Sequence, residues 1–137
     1  AEHLARHRHA DLFLDTLRVN AHTTASDALW AGVPVLTCPG ETFQSRVAAS
    51  LLHAVGLPEL VVPDLVAYEE TAVGLGQGPG QGRGAEELAR FKARLQANRL
   101  TCPLFDTERY ARNLERAYDA LWAACASGAK PAAIRLE

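Results

Sequence analysis

Along the first 76 residues the apolar positions fall into short blocks whose period changes from one block to the next. Residues 1–9 hold helix formers with His and Arg, as at the exposed end of a helix. "ADLFLDT" then sets Leu12, Phe13 and Leu14 in a continuous apolar run, the pattern of a strand buried on both faces. After a loop through Asn20 and Ala21, a helix is predicted from about Ala25 to Ala31, stopped by Gly32 with Pro34 beyond it. "VPVLTC" reads as a second buried strand. From Phe43 the period becomes helical: Phe43, Val47, Leu51 and Val55 recur every fourth residue, with Ala48 and Leu52 beside them, up to Gly56. "ELVV", between Pro58 and Pro63, is a third strand candidate. Asp64 is a predicted N-cap for a helix whose Leu65, Tyr68, Ala72 and Leu75 share a face. Strand and helix alternate three times, which predicts an α/β fold with a parallel sheet covered by helices.

The tract Gly74 to Gly84 interrupts this order and holds six of the ten glycines. No strand feeds it and no Gly-Lys-Ser/Thr follows, so it reads as a flexible surface loop and not as a phosphate loop. Two amphipathic helices follow. One spans Ala85 to about Asn98 with Leu88, Phe91 and Leu95 inward. The other spans Asp106 to about Ser127 with Tyr110, Leu114, Tyr118, Leu121 and Cys125 inward, ended by Gly128 and Pro131. Residues 1–128 are therefore expected to form one structural unit, with 129–137 a tail that shows no periodicity.

Composition narrows the classes of function. A chain of 137 residues is about one domain, and 48% hydrophobic residues suffice for one core. The net charge of −2, with no block of like charges, gives no sign of a nucleic-acid partner. No apolar run approaches the roughly 20 residues of a membrane span, and "AEHLARHRHAD" is no signal peptide. Three widely spaced cysteines, Cys38, Cys102 and Cys125, suit reduced thiols in a cytoplasmic protein. Methionine is absent altogether, and residue 1 falls inside an element already under way, so a piece of a longer protein is expected. Such a piece would leave a sheet edge and an apolar face uncovered and prone to self-association.

Candidate chemistry gathers before the first complete helix. Thr24-Ala25-Ser26-Asp27 matches the capping box [ST]xx[DE], which would satisfy the free amides of a helix start. The same place is also where an open α/β sheet receives ligands, beyond the carboxyl end of a strand. Free N–H groups and the helix dipole favour phosphate there, Thr23 and Thr24 would add hydroxyls, and His22 a cationic or hydrogen-bonding ring. Asp27, one turn further, would accept from sugar hydroxyls. His3 and His7 are four apart, a spacing zinc sites use, but no Cys, Asp or Glu completes a ligand set, so no metal is expected. His7 and His9 read as solvent-exposed, and His53 as structural. No GxSxG elbow or cysteine–histidine pairing points to a covalent intermediate.

The stretches "ADLFLDT", "NAHTTASDALWAGVPVLTCPGETFQSRVAASLL" and "VGLPELV", with the later "CPLFDTERYARNLERAYDALW", resemble the carboxyl-terminal end of the O-linked N-acetylglucosamine transferases and their bacterial homologues. The resemblance covers most of residues 2–128 and fails in the glycine tract and the tail. Its specific part is Asp15 to Ser50, with the pattern HTTxxDxLWAGxPVxTxPGETxxSRVAAS. It implies the GT-B fold, two Rossmann-like halves around a cleft, often preceded by tetratricopeptide repeats. This chain would be the later part of the second, nucleotide-binding half: a partial Rossmann-like parallel sheet flanked by helices.

Carried over, the resemblance puts His22, Thr23 and Thr24 against the diphosphate of a UDP-sugar. Asp27 would meet the ribose hydroxyls, His3 would lie against the uracil ring and Arg6 would sit near the same base. No catalytic residue is expected in this segment, His22 being at most a stabiliser of the donor phosphate. The general base, a lysine near the leaving phosphate and the acceptor-binding repeats would lie upstream. The implied reaction is inverting, metal-independent transfer of N-acetylglucosamine from UDP-GlcNAc to a protein Ser or Thr, needing no cofactor, with the fragment inactive alone. The glycine tract departs from the family's continuous helix. A GT-B relative with another nucleotide sugar or acceptor, and a non-catalytic nucleotide-binding or scaffold module, stand as alternatives.

Overall fold

The computed structural model describes residues 2–76 and 84–135. The chain opens with helix α1 (Glu2–Ala5), continued as a 3-10 turn over Arg6–His9, and enters strand β1 (Phe13–Leu14). Helix α2 (Thr23–Trp30) leads to strand β2 (Val35–Leu36), and a 3-10 turn at Phe43–Ser45 leads to α3 (Val47–Val55). A second such turn, Pro58–Leu60, precedes α4 (Leu65–Gly76); then come α5 (Gly84–Asn98), a turn at Pro103–Phe105 and α6 (Thr107–Ala126). The flexible loop expected at 74–84 falls largely on residues 77–83, outside the described residues. Its first glycines close α4, and Gly84 opens α5.

The sheet is parallel, as the alternation of elements requires. Phe13 pairs with Val35 and Leu14 with Leu36. The third strand candidate contributes a single parallel bridge, Thr37 to Val61, held by Thr37 N–H to the Leu60 carbonyl (3.0 Å) and Val62 N–H to the Thr37 carbonyl (3.0 Å). Pro58 and Pro63 bracket that segment and lack the N–H a longer ladder would need.

One core joins these layers. Ala25, Ala28 and Leu29 of α2, Val35 and Leu36 of β2, and Leu52 and Val55 of α3 are all buried, together with Leu57 and Leu60. Leu88, Phe91 and Leu95 of α5 close it from the far side, as their spacing predicts. Gly56 ends α3 at φ 82, and a Cβ there would come within 2.9 Å of Asn98 Nδ2, which donates to the Val55 carbonyl (2.9 Å). The turn before α6 reaches α2 through an edge-to-face pair, Phe105 on Trp30, at 4.9 Å between centroids.

Several inward-facing expectations fail, and for one reason. Leu14 is 54% exposed, so β1 is covered on one face only. Phe43 sits in the 3-10 turn before α3 instead of on its buried stripe, and Leu65 at the first turn of α4 is also exposed. On α6, Tyr110, Leu114, Tyr118, Leu121 and Cys125 share a face, yet all are exposed. Periodicity determines which residues line up along an element. It does not determine whether another element arrives to cover them. His53 is exposed as well.

Candidate functional site

Helix α2 begins just past the carboxyl end of β1. Its N-cap is His22, at φ −101 and ψ −88, and no side chain caps it. Thr24 and Asp27 therefore do not form the expected capping box: the helix starts at Thr23, a residue too early, which leaves Thr24 within the first turn. The first main-chain bond runs from Ser26 N–H to the His22 carbonyl (3.1 Å), so the preceding amides have no partner within the helix. Thr23 and Thr24 stand exposed beside them. A helix start left in this state attracts an anion through its N–H groups and dipole.

His22 is held from the side. Its Nε2 lies 3.3 Å from the Gln44 carbonyl, and its ring meets Phe43 edge-on at 6.3 Å. A carbonyl only accepts, so Nε2 is a protonated nitrogen. The Gln44 carbonyl also receives the Asn20 N–H (2.9 Å), which anchors both sides of the loop to one atom. The turn that presents Gln44 carries a capping box of its own, between Thr42 and Ser45. Gly40 is required beside it, because a Cβ there would lie 2.6 Å from Ser45 Oγ. A cavity of about 500 Å³, lined by Phe43, Arg46, Val47, Ser50 and Leu51, opens next to this turn.

A second group assembles one turn along α2. His3 Nε2 lies 3.7 Å from Asp27 Oδ2, and Arg6 Nη2 donates to His3 Nδ1 at 3.1 Å. A guanidinium cannot accept, so Nδ1 of His3 is the acceptor and the protonated Nε2 faces the carboxylate. The structure thus brings His3, Arg6 and Asp27 together, and sets His22, Thr23 and Thr24 about 6 Å back along the helix axis. The larger cavity, about 550 Å³ between α4 and α5, touches none of these six residues. Among the described residues, no three His, Cys, Asp or Glu side chains gather as a metal ion requires, and no helix is long and apolar enough to cross a membrane. The cysteines are free, with Cys38 and Cys102 buried. Burial, then the charge of Asp64, pushes the Cys38 thiol above its ordinary value.

Beneath this site lies a polar knot that the sequence reading missed. Among the described residues, Asp15, Asn20, Thr37 and Ser45 are the buried polar ones. Asp15 Oδ1 accepts the N–H of Thr16 (2.9 Å) and of Ala21 (2.7 Å), and Oδ2 accepts the Thr37 hydroxyl (2.6 Å). Asn20 Nδ2 donates to the Thr16 carbonyl (2.8 Å), and the Tyr68 hydroxyl donates to the Asp15 carbonyl (2.9 Å). The available signal was a carboxylate directly after an apolar strand run, where only buried hydrogen-bond donors make its burial tolerable.

A short parallel sheet with an uncapped helix start at a strand's carboxyl end, and a carboxylate one turn in, has the layout of a Rossmann-like unit, with these residues at the place where such sheets receive ligands. The model of glycosyl transferase family 41 matches residues 1–114, and the chain belongs to that family. It is 46% identical over 132 residues to a probable UDP-N-acetylglucosamine--peptide N-acetylglucosaminyltransferase, SEC, of Arabidopsis thaliana, covering 96% of this chain and 13% of the relative. To the UDP-N-acetylglucosamine--peptide N-acetylglucosaminyltransferase of Caenorhabditis elegans it is 39% identical, covering 93% of this chain and 10% of that one. Among solved structures, an O-GlcNAc transferase mutant of Thermobaculum terrenum superposes with a TM-score of 0.78 at 34% identity, covering 93% of this chain and 24% of that one. The fold is accordingly part of a GT-B glycosyltransferase. The chain spans about an eighth of the length of its plant relative.

Proposed function

We propose that this chain is the UDP-sugar-binding part of an inverting glycosyltransferase that moves N-acetylglucosamine from UDP-GlcNAc to Ser or Thr hydroxyls of proteins. The observation that carries this reading is the start of α2: an uncapped helix end at the strand terminus, bordered by His22, Thr23 and Thr24. In the reaction the acceptor oxygen bonds to the anomeric carbon from one face as the bond to UDP breaks on the other. The acceptor's proton passes to a base outside this segment. What this chain contributes is stabilisation of the departing diphosphate by amides, hydroxyls and the His22 ring aimed at developing charge. No metal or cofactor is needed for that step. Asp27 takes the ribose hydroxyls, His3 faces the uracil and Arg6 supports the same base. The acceptor protein, and the other half and repeats of the same enzyme, supply what this segment does not. The setting is the cytoplasm, where three free thiols stay reduced.

Calorimetry of UDP against the full-length gene product tests the reading. UDP is expected to bind, and the paired substitution Thr23→Ala with Asp27→Asn to weaken it by about 100-fold, the loss of one neutral and one charged hydrogen bond. Activity with UDP-GlcNAc is expected to survive EDTA. Unchanged UDP affinity in the double variant would refute the assignment of this helix start.

A further inference from the structure

We infer that Asp15 is a positioning residue for the phosphate end of the donor site, acting through the loop 16–22. The inference rests on the donor-site reading above and deepens it. Asp15 is 4% exposed and follows β1 directly. Its two oxygens take three donors: the amides of Thr16 and Ala21 from either side of the adjoining loop, and, from farther along the chain, the hydroxyl of Thr37 after β2. The carboxylate thereby draws the loop into a closed ring against the sheet. Ala21 is the residue before His22, so its 2.7 Å bond to Asp15 determines where the N-cap of α2 stands. From the other side the Gln44 carbonyl holds Asn20 N–H and His22 Nε2. The His22 ring and the first amides of α2 are thus located between two clamps, one of which is a single buried side chain.

The uridine end does not depend on this ring. Asp27 sits on a stretch of α2 anchored by the buried Ala25, Ala28 and Leu29, and its partner His3 comes from α1. Removal of the Asp15 carboxylate leaves three donors without an acceptor and frees the loop. The diphosphate contacts then blur while the nucleoside contacts remain. A residue that merely stabilised the fold would affect both ends alike.

The test compares UDP with uridine binding to the full-length gene product. Asp15→Ala is expected to lower UDP affinity about tenfold or more while uridine affinity changes less than about twofold. Asp15→Asn, whose Oδ1 still accepts both amides while the Thr37 hydroxyl turns to accept from Nδ2, is expected to restore most of the UDP-to-uridine ratio. If Asp15→Ala does not fold, Thr37→Val is the variant to read, with an expected fall in that ratio of about threefold. Equal losses for the two ligands, or an unchanged ratio, would overturn the role of Asp15 alone. A wild-type protein that binds neither ligand would overturn the donor-site reading itself, and this inference with it.

Discussion

Two kinds of helix start occur in this molecule. At α4, Asp64 Oδ1 accepts the N–H of Ala67 (2.8 Å); at α6, Asp106 Oδ1 accepts the N–H of Arg109 (2.9 Å). Both are ordinary side-chain caps. At α2 the sequence offers an equally good capping pattern, yet the helix starts a residue too early to use it and its first turn faces outward. A side-chain cap satisfies one of the free amides of its own helix start. The α2 end is left incomplete, and the side chains that could have capped it are displayed around it. The proposed anion site rests on this unused capping potential at a strand's carboxyl end, and not on the capping motif itself.

The sharpest way to break this contrast is to remove the support under α2. Leu29→Ala, at a site 1% exposed, is expected to cost about 2–5 kcal/mol in urea unfolding and to abolish nucleotide binding along with the helix. Next in size is His22→Ala: UDP affinity should fall about tenfold or more while stability changes by less than about 0.5 kcal/mol. At the capped ends the two effects exchange places. Asp64→Ala or Asp106→Ala should cost about 1 kcal/mol of stability and leave UDP binding untouched, as calorimetry on the same samples would read. A loss of UDP affinity in either variant would show that the contrast between the helix ends is false.

The smallest effect concerns pH. Burial, then the charges of Asp15 and Cys38, raises the Tyr68 phenol above its ordinary 10.0. The unfolded chain then ionises this tyrosine at lower pH than the folded one. Its contribution is whole below pH 10 and is lost as pH climbs through the folded value. Tyr68→Phe should flatten that alkaline loss in denaturation curves, and an identical slope in both proteins would contradict it. Glu59 behaves oppositely. Burial alone would raise its carboxyl, but its backbone hydrogen bond and Arg94 outweigh this and hold it low. That contribution is present above the ordinary carboxylate range and disappears as pH falls through the lowered value. The pair is partly exposed, so its effect on stability is slight.

The sequence by itself determined the order of elements, the parallel sense of the sheet and the buried stripe of α5; of the stripe expected on α3, Ala48, Leu52 and Val55 are buried, Val47 and Leu51 are half-buried and Phe43 is exposed. Period, glycine stops such as Gly32 and Gly56, and proline boundaries are local properties, and local sterics suffice to express them. It also singled out His22, Thr23, Thr24 and Asp27, because polar residues at a helix start after an apolar strand are visible in one dimension. Tertiary structure alone decided the rest. It brought His3 and Arg6 to Asp27 across more than twenty residues of chain, made Thr24 part of the first turn instead of its cap, and assembled Asp15, Thr37 and Tyr68 into one buried knot. It also left the apolar stripe of α6 uncovered. These outcomes depend on which distant groups arrive at a given place to accept, donate or cover, and no local pattern records that.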